Sequence, residues 1–245
     1  MTPSSMPDPS RRRLLGLLAG SAFLASGCSV PGTSPGGPRR KAFLHEQFIK
    51  TDLDHFAEVS QRRLFLSMRQ LAEKLYRRNP REWRKSGAPT LEDALVRIFD
   101  TNHGWDLTAL GGLRDIEALT LAFEPEFAGD RVMAFSVGLA SMVQTAYGNR
   151  VGFYIVNDLS AQAFYNAARN VEIAAWKLAT NRDERGELLL LSNEMGEVQN
   201  LSFEREIGRI IGILETMTDI VEIKTERLVV RIVQGMATAV FLPVP

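Results

Sequence analysis

In 245 residues there is one cysteine, Cys28, and only three histidines, His45, His55 and His103. A single thiol excludes any internal disulfide and any zinc site built on several thiolates. The histidines stand in no paired Glu-x-x-His arrangement, so a helical metal centre has no ligand pair to start from. Asp52, Asp54 and Glu58 lie near His55 in sequence, but they read as the solvated start of a helix; no metal, cofactor or catalytic residue is assigned. The Gly-x-Ser-x-Gly elbow, the P-loop and the dinucleotide glycine pattern are all missing. A triad gathered from distant residues stays open, because geometry rather than chain order defines one. Charge of one sign is also lacking: 29 basic residues face 29 acidic ones, which removes the electrostatic reason to expect nucleic acid. No uninterrupted apolar run reaches the roughly 20 residues of a membrane span. Proline is absent between Pro125 and Pro243, and that long interval permits long helices.

What is present begins at the N-terminal end. Arg11-Arg12-Arg13 precede an apolar run, Leu14 to Ala25, which ends in small residues and Cys28. Basic, apolar and small in that order is the layout of an export signal. Leu24-Ala25-Ser26-Gly27-Cys28 resembles the lipobox of bacterial lipoproteins, with Ala25 where that family usually has leucine. The resemblance covers the first 28 residues. It implies cleavage between Gly27 and Cys28, a diacylglycerol on the Cys28 sulfur and acylation of its new amino group. Ser29, in place of aspartate, resembles the default sorting to the outer membrane in Gram-negative bacteria. Ser10 to Leu15 also looks like a twin-arginine signal, although three arginines suit ordinary secretion equally. Removing residues 1–27 takes away three arginines and one aspartate, leaving 26 basic and 28 acidic residues, a net charge of −2.

Residues 28–40 then read as the lipidated cysteine and a flexible Pro/Gly-rich linker. Residues 41–245 have the look of one helical domain, in a chain whose 45% hydrophobic and 24% charged residues are ordinary for a globular protein. Leu53, Phe56, Ala57, Leu64, Met68, Leu71, Ala72 and Leu75 mark one apolar helix face, closed by Asn79-Pro80. Arg77, Arg78, Arg81, Arg84 and Lys85 crowd the next positions around Trp83. They form a candidate patch for an anionic surface, with a solvated helix end as the plainer reading. Thr90-Leu91-Glu92-Asp93 has the form of a capping box opening a helix to Phe99. The turn 100–106 carries His103 and Trp105, and reads as turn chemistry around a buried tryptophan. A helix is expected from Gly112 to Phe123, followed by a central buried helix from Val132 to Tyr147. Val151 to Val156 reads as extended. Ser160 or Asp158 caps an amphipathic helix through Ala179, and a small β-hairpin around 193–196 is expected.

Phe203, Ile207, Ile210, Leu214, Met217 and Val221 form a heptad seam on a last long helix, with Gly208 and Gly212 offering a smooth face for close packing. Glu226 to Phe241 continues in the same vein, and Leu242-Pro243-Val244-Pro245 reads as an extended tail. The expected fold is all-α: a single multi-helix bundle around a central buried helix, with one small β-hairpin. The expected role is a lipid-anchored periplasmic module that binds another envelope component, with the membrane reached through its anchor and a homodimer as a further option. A carrier of an apolar ligand and an envelope hydrolase are the alternatives.

Overall fold

The computed structural model describes residues 39–101, 103–149, 159–194, 200–225 and 240–245, with side chains from residue 53 onward. The helices are Arg39–Arg78 (α1), Pro80–Lys85 (α2), Leu91–Phe99 (α3), Asp115–Ala122 (α4), Arg131–Ala146 (α5), Ala161–Thr180 (α6) and Ser202–Thr225 (α7), with a 3₁₀ turn at Thr108–Leu110. The fold is all-α, and no strand occurs among the described residues. The segments 151–158 and 226–239, where an extended run and further heptads were expected, lie outside them, as do Gly27 and Cys28.

Local chemistry accounts for most helix limits. α1 begins at Arg39, two residues inside the segment read as linker. Its face of Ala57, Leu64, Met68, Leu71, Ala72 and Leu75 is buried, whereas Phe56 lies outside the core at 40% exposure. Proline at position 80 cannot continue the helix, and Asn79 closes it by donating from Nδ2 to the Leu75 carbonyl at 2.9 Å. Thr90 opens α3 with a complete capping box: its Oγ1 accepts from the Asp93 amide, and the Asp93 carboxylate accepts from the Thr90 amide, both at 3.1 Å. Ser160 caps α6 through the Ala163 amide. α4 starts at Asp115 rather than Gly112, because Gly111, Gly112 and Asp115 all take positive φ and hold the chain in a turn up to that point.

α5 is the centre of the bundle. Every one of its residues except Thr145 is buried, which is why its sequence is apolar nearly all round. α4 lies against one side and makes the closest approach: a Cβ on Gly138 would sit 2.6 Å from the Leu119 amide nitrogen. α6 covers another side and carries α7, whose heptad residues Phe203, Ile207, Ile210, Leu214, Met217 and Val221 are all buried. Gly208 and Gly212 do not serve that seam. They face outward, and a methyl group at either would meet nothing within 4 Å. Arg169 of α6 pairs with Glu215 of α7 at the edge of the contact. Residues 195–199 of the expected hairpin lie outside the described residues; among those described, one antiparallel bridge joins Glu194 and Asn200 and a second isolated bridge joins Arg182 and Leu188.

Candidate functional site

An open cleft of about 620 Å³ lies where α1, the turn after α3 and the end of α5 meet. Its apolar floor begins with Phe65 of α1, a residue outside the buried face of that helix. The turn after α3 supplies the facing ring. Trp105 stacks on Phe65 with centroids 5.9 Å apart and planes 15° from parallel, and His103 meets Trp105 edge-on at 5.3 Å. Trp105 is half-buried rather than buried, and it takes φ 68°, directly after Gly104 at 55°. A bulky residue in the left-handed region is uncommon and costs on the order of 1–3 kcal/mol, so its surroundings must hold it there.

His103 is what holds it. Its Nδ1 accepts from the Trp105 amide at 2.9 Å, and its Nε2 lies 3.0 Å from the Ile98 carbonyl. A carbonyl can only accept, so the proton sits on Nε2 and the ring is neutral. Both nitrogens are thereby spent on backbone. The imidazole is a clamp for the turn, and its one lone pair is not directed at the cleft.

The rim is polar. Arg62 pairs with Glu58 at 3.1 Å, and Gln61 donates weakly to Gln144 at 3.5 Å. Arg114 lies 3.6 Å from Asp115, whose amide donates to Ser141 Oγ at 2.6 Å and whose Oδ2 accepts from Thr145 at 3.1 Å. Among the described residues Asp115 Oδ1 is buried without a hydrogen-bond partner. Among the described residues, the non-glycine residues with positive φ are Trp105, Asp115 and Asn149. Two of them line the cleft and the third adjoins Arg114, which does. Strain gathered at one place, beside a concave aromatic surface with a mixed polar rim, is the physical profile of a binding site.

No family model, curated protein or solved structure matches this chain. The site must therefore be read from its own geometry.

The basic cluster is largely used within the fold. Arg77 pairs with Glu73 at 2.7 Å, Arg78 with Glu194 at 2.9 Å and Lys85 with Glu82 at 2.7 Å. Arg84 lies 4.7 Å from the ring centre of Trp83. Neither Arg81 nor Arg84 makes an ion pair or side-chain hydrogen bond among the described residues. His55 is exposed and 3.7 Å from Glu58. Among the described residues no three His, Cys, Asp or Glu side chains gather as a metal site, and no helix is long and apolar enough to cross a membrane.

A second polar cluster is buried at the start of α5. Asp130 caps that helix through the Met133 amide at 2.9 Å and accepts from the Tyr76 hydroxyl at 2.8 Å. Burial raises its carboxyl to about 6, opposed by those hydrogen bonds and assisted by the nearby charge of Glu82. Glu82 accepts from the Arg131 amide at 2.8 Å, joining α2 to α5. The Arg131 guanidinium donates to the carbonyls of Ala122, Glu124 and Pro125, at 2.6–2.9 Å, and so closes the end of α4. Each group here satisfies backbone or a neighbour, and the cluster joins helices without opening on the cleft.

Sequence reasoning singles out His103 and Trp105 but not their partners. Phe65, Gln144, Asn149 and Arg114 come from three distant stretches, and nothing local to any of them signals a shared site.

Proposed function

We propose that the chain is a lipid-anchored helical module of the Gram-negative envelope, held at the outer membrane through an acylated Cys28 and facing the periplasm, which binds another envelope component. The anchor rests on the order of charge, apolar run and small residues before Cys28. The binding role is carried by one observation, the aromatic-floored cleft of about 620 Å³ with strained backbone at its edge. The covered faces of α5 favour a surface-binding module over a carrier that encloses its ligand around the central helix. The Phe65–Trp105 stack also suits a planar or apolar small ligand held in the open cleft, which is the second reading.

Two measurements test this. Metabolic labelling with an alkyne fatty acid is expected to mark the protein and to be lost in Cys28→Ser. An unlabelled protein that retains residues 1–27 would overturn the anchor. A photo-crosslinking amino acid at Arg62, used in living cells, is expected to give one dominant product that weakens sharply when Trp105→Ala is added. A product pattern indifferent to Trp105 would overturn the cleft as the binding surface. A lipid-sized mass retained in native mass spectrometry, and lost in Trp105→Ala, would select the second reading.

A further inference from the structure

The lining of the cleft narrows what it can hold. Phe65 and Trp105 give it a flat aromatic floor. The rim is different in kind. Gln61, Gln144 and Asn149 bring carboxamides to it, Arg62 and Arg114 bring guanidiniums, and Glu58 brings a carboxylate. A carboxamide both donates and accepts, a guanidinium only donates and a carboxylate only accepts. These planar polar heads come from α1, the turn before α4 and the end of α5, and they surround one stacked pair of rings.

Several ligand classes fit this set poorly. An acyl chain would strip water from the polar heads and offer them nothing in return. A phosphate would face the Glu58 carboxylate, and Arg62 is already paired with it at 3.1 Å. An extended peptide adds to a sheet edge, and an amphipathic helix wants an apolar groove; the rim offers neither. A saccharide meets both halves of the lining. The axial C–H groups on one side of a pyranose ring form an apolar face that lies flat on an aromatic ring. Its hydroxyls stand around the edge of the ring, and each both donates and accepts. The cleft is open, so a chain of rings can cross it with both ends in solvent.

We propose that the cleft binds a saccharide chain of the envelope, with one sugar ring lying on the Phe65–Trp105 floor and its hydroxyls bonded to the carboxamides and guanidiniums of the rim. The assignment rests on the cleft being the binding surface and names its occupant. The strain at Trp105 serves the same end. Its backbone at φ 68° and its amide, tied to His103 Nδ1 at 2.9 Å, set the indole before any ligand arrives, so little freedom is lost on binding. Glycoside hydrolysis ordinarily needs two carboxyl groups flanking the scissile bond. Among the described lining residues Glu58 is the one carboxylate, and Arg62 holds it. By that chemistry the cleft holds a chain without cutting it.

Two probes are titrated into the full chain by isothermal calorimetry. Tetra-N-acetylchitotetraose stands for the glycan of the cell wall, and the lipid-free oligosaccharide of lipopolysaccharide stands for the outer surface. Saturable binding of one of them is expected, and which one identifies the source. Trp105→Ala should weaken that binding roughly tenfold or more, and Trp105→Phe should recover part of it. Should Trp105→Ala disturb the turn, Gln144→Leu keeps the bulk, removes a carboxamide and is expected to cost a similar factor. Arg81→Ala, outside the lining, should change nothing. Binding of neither saccharide at millimolar concentration would overturn the proposal; a crosslink from position 62 that still depended on Trp105 would then leave the cleft as the surface for another partner. Saccharide binding unchanged in Trp105→Ala and Gln144→Leu would place the sugar elsewhere and overturn the assignment. New reducing ends released from the bound oligosaccharide would overturn holding without cutting.

Discussion

Three glycine-to-alanine substitutions, each inside a helix, are expected to move stability in opposite directions. By helix propensity alone, each should stabilise the protein by up to ~1 kcal/mol. At Gly138 the new methyl carbon would lie 2.6 Å from the Leu119 nitrogen and 2.9 Å from the Asp115 carbonyl oxygen. Both are backbone atoms, so no rotamer relieves the clash. α4 would have to retreat by about 0.8 Å to restore an ordinary contact of 3.4 Å. Overpacking of this kind costs about 1–3 kcal/mol. The retreat also stretches the 2.6 Å hydrogen bond from Asp115 to Ser141, worth about 1 kcal/mol. The clash outweighs the propensity, and Gly138→Ala is expected to lose roughly 1–3 kcal/mol net, or several degrees in Tm for a chain of this size. Gly208→Ala and Gly212→Ala meet open space and should each gain roughly 0.5–1 kcal/mol. Urea denaturation followed by circular dichroism reads all three. A neutral or stabilising Gly138→Ala would refute the close approach of α4 to α5. A loss above ~1 kcal/mol at Gly208 would show that its face is covered in solution, as a homodimer through α7 requires.

Further outcomes follow from the polar clusters. Asp130 is held at about 6 when folded against an ordinary value of 3.8, so the native state binds more protons between those values. Stability should therefore be full below about pH 4 and fall as pH rises through 6, by up to roughly 3 kcal/mol from this group; Asp130→Asn should flatten that part of the profile, and an unchanged slope would refute the assignment. His103→Ala removes the acceptor for the Trp105 amide and the donor to Ile98, and is expected to cost about 1–2 kcal/mol; a neutral result in the same urea assay would mean that the ring does not clamp the turn. Lys74 donates to both Glu206 and the Ser202 carbonyl at 2.9 Å, tying α1 to the first turn of α7. Lys74→Met should cost about 1–2 kcal/mol, since Lys74 is partly exposed and Arg209 still faces Glu206 at 2.5 Å; adding Glu206→Leu should recover most of the loss, and additive losses would sink the pairing.

Much of the architecture could be read from one dimension. The capping box at Thr90, the stop at Asn79-Pro80, the seam from Phe203 to Val221 and the all-round apolar character of the central helix are local patterns with local causes. Hydrogen bonds within a turn and the 3.6-residue period act over neighbours, so the chain alone displays them. The start of α4 was harder, because Asp115 at φ 52° is held by Ser141 and Thr145 of another helix.

Which glycine is the tight one could not be read at all. Gly208 and Gly212 sit four apart and look made for close packing, yet they face open space, while Gly138 takes the close contact because α4 happens to cross there. The cleft likewise joins Phe65, Trp105, Arg114 and Asn149 across more than eighty positions. Asn166 and Asn170 of α6 look like ordinary polar positions until Leu242 and Pro243, more than seventy residues later, are seated on them. Period and capping determined which stretches are helices and which faces are apolar. Only the packed structure decided which polar and small residues meet, because such meetings depend on helix crossings that no local interaction specifies.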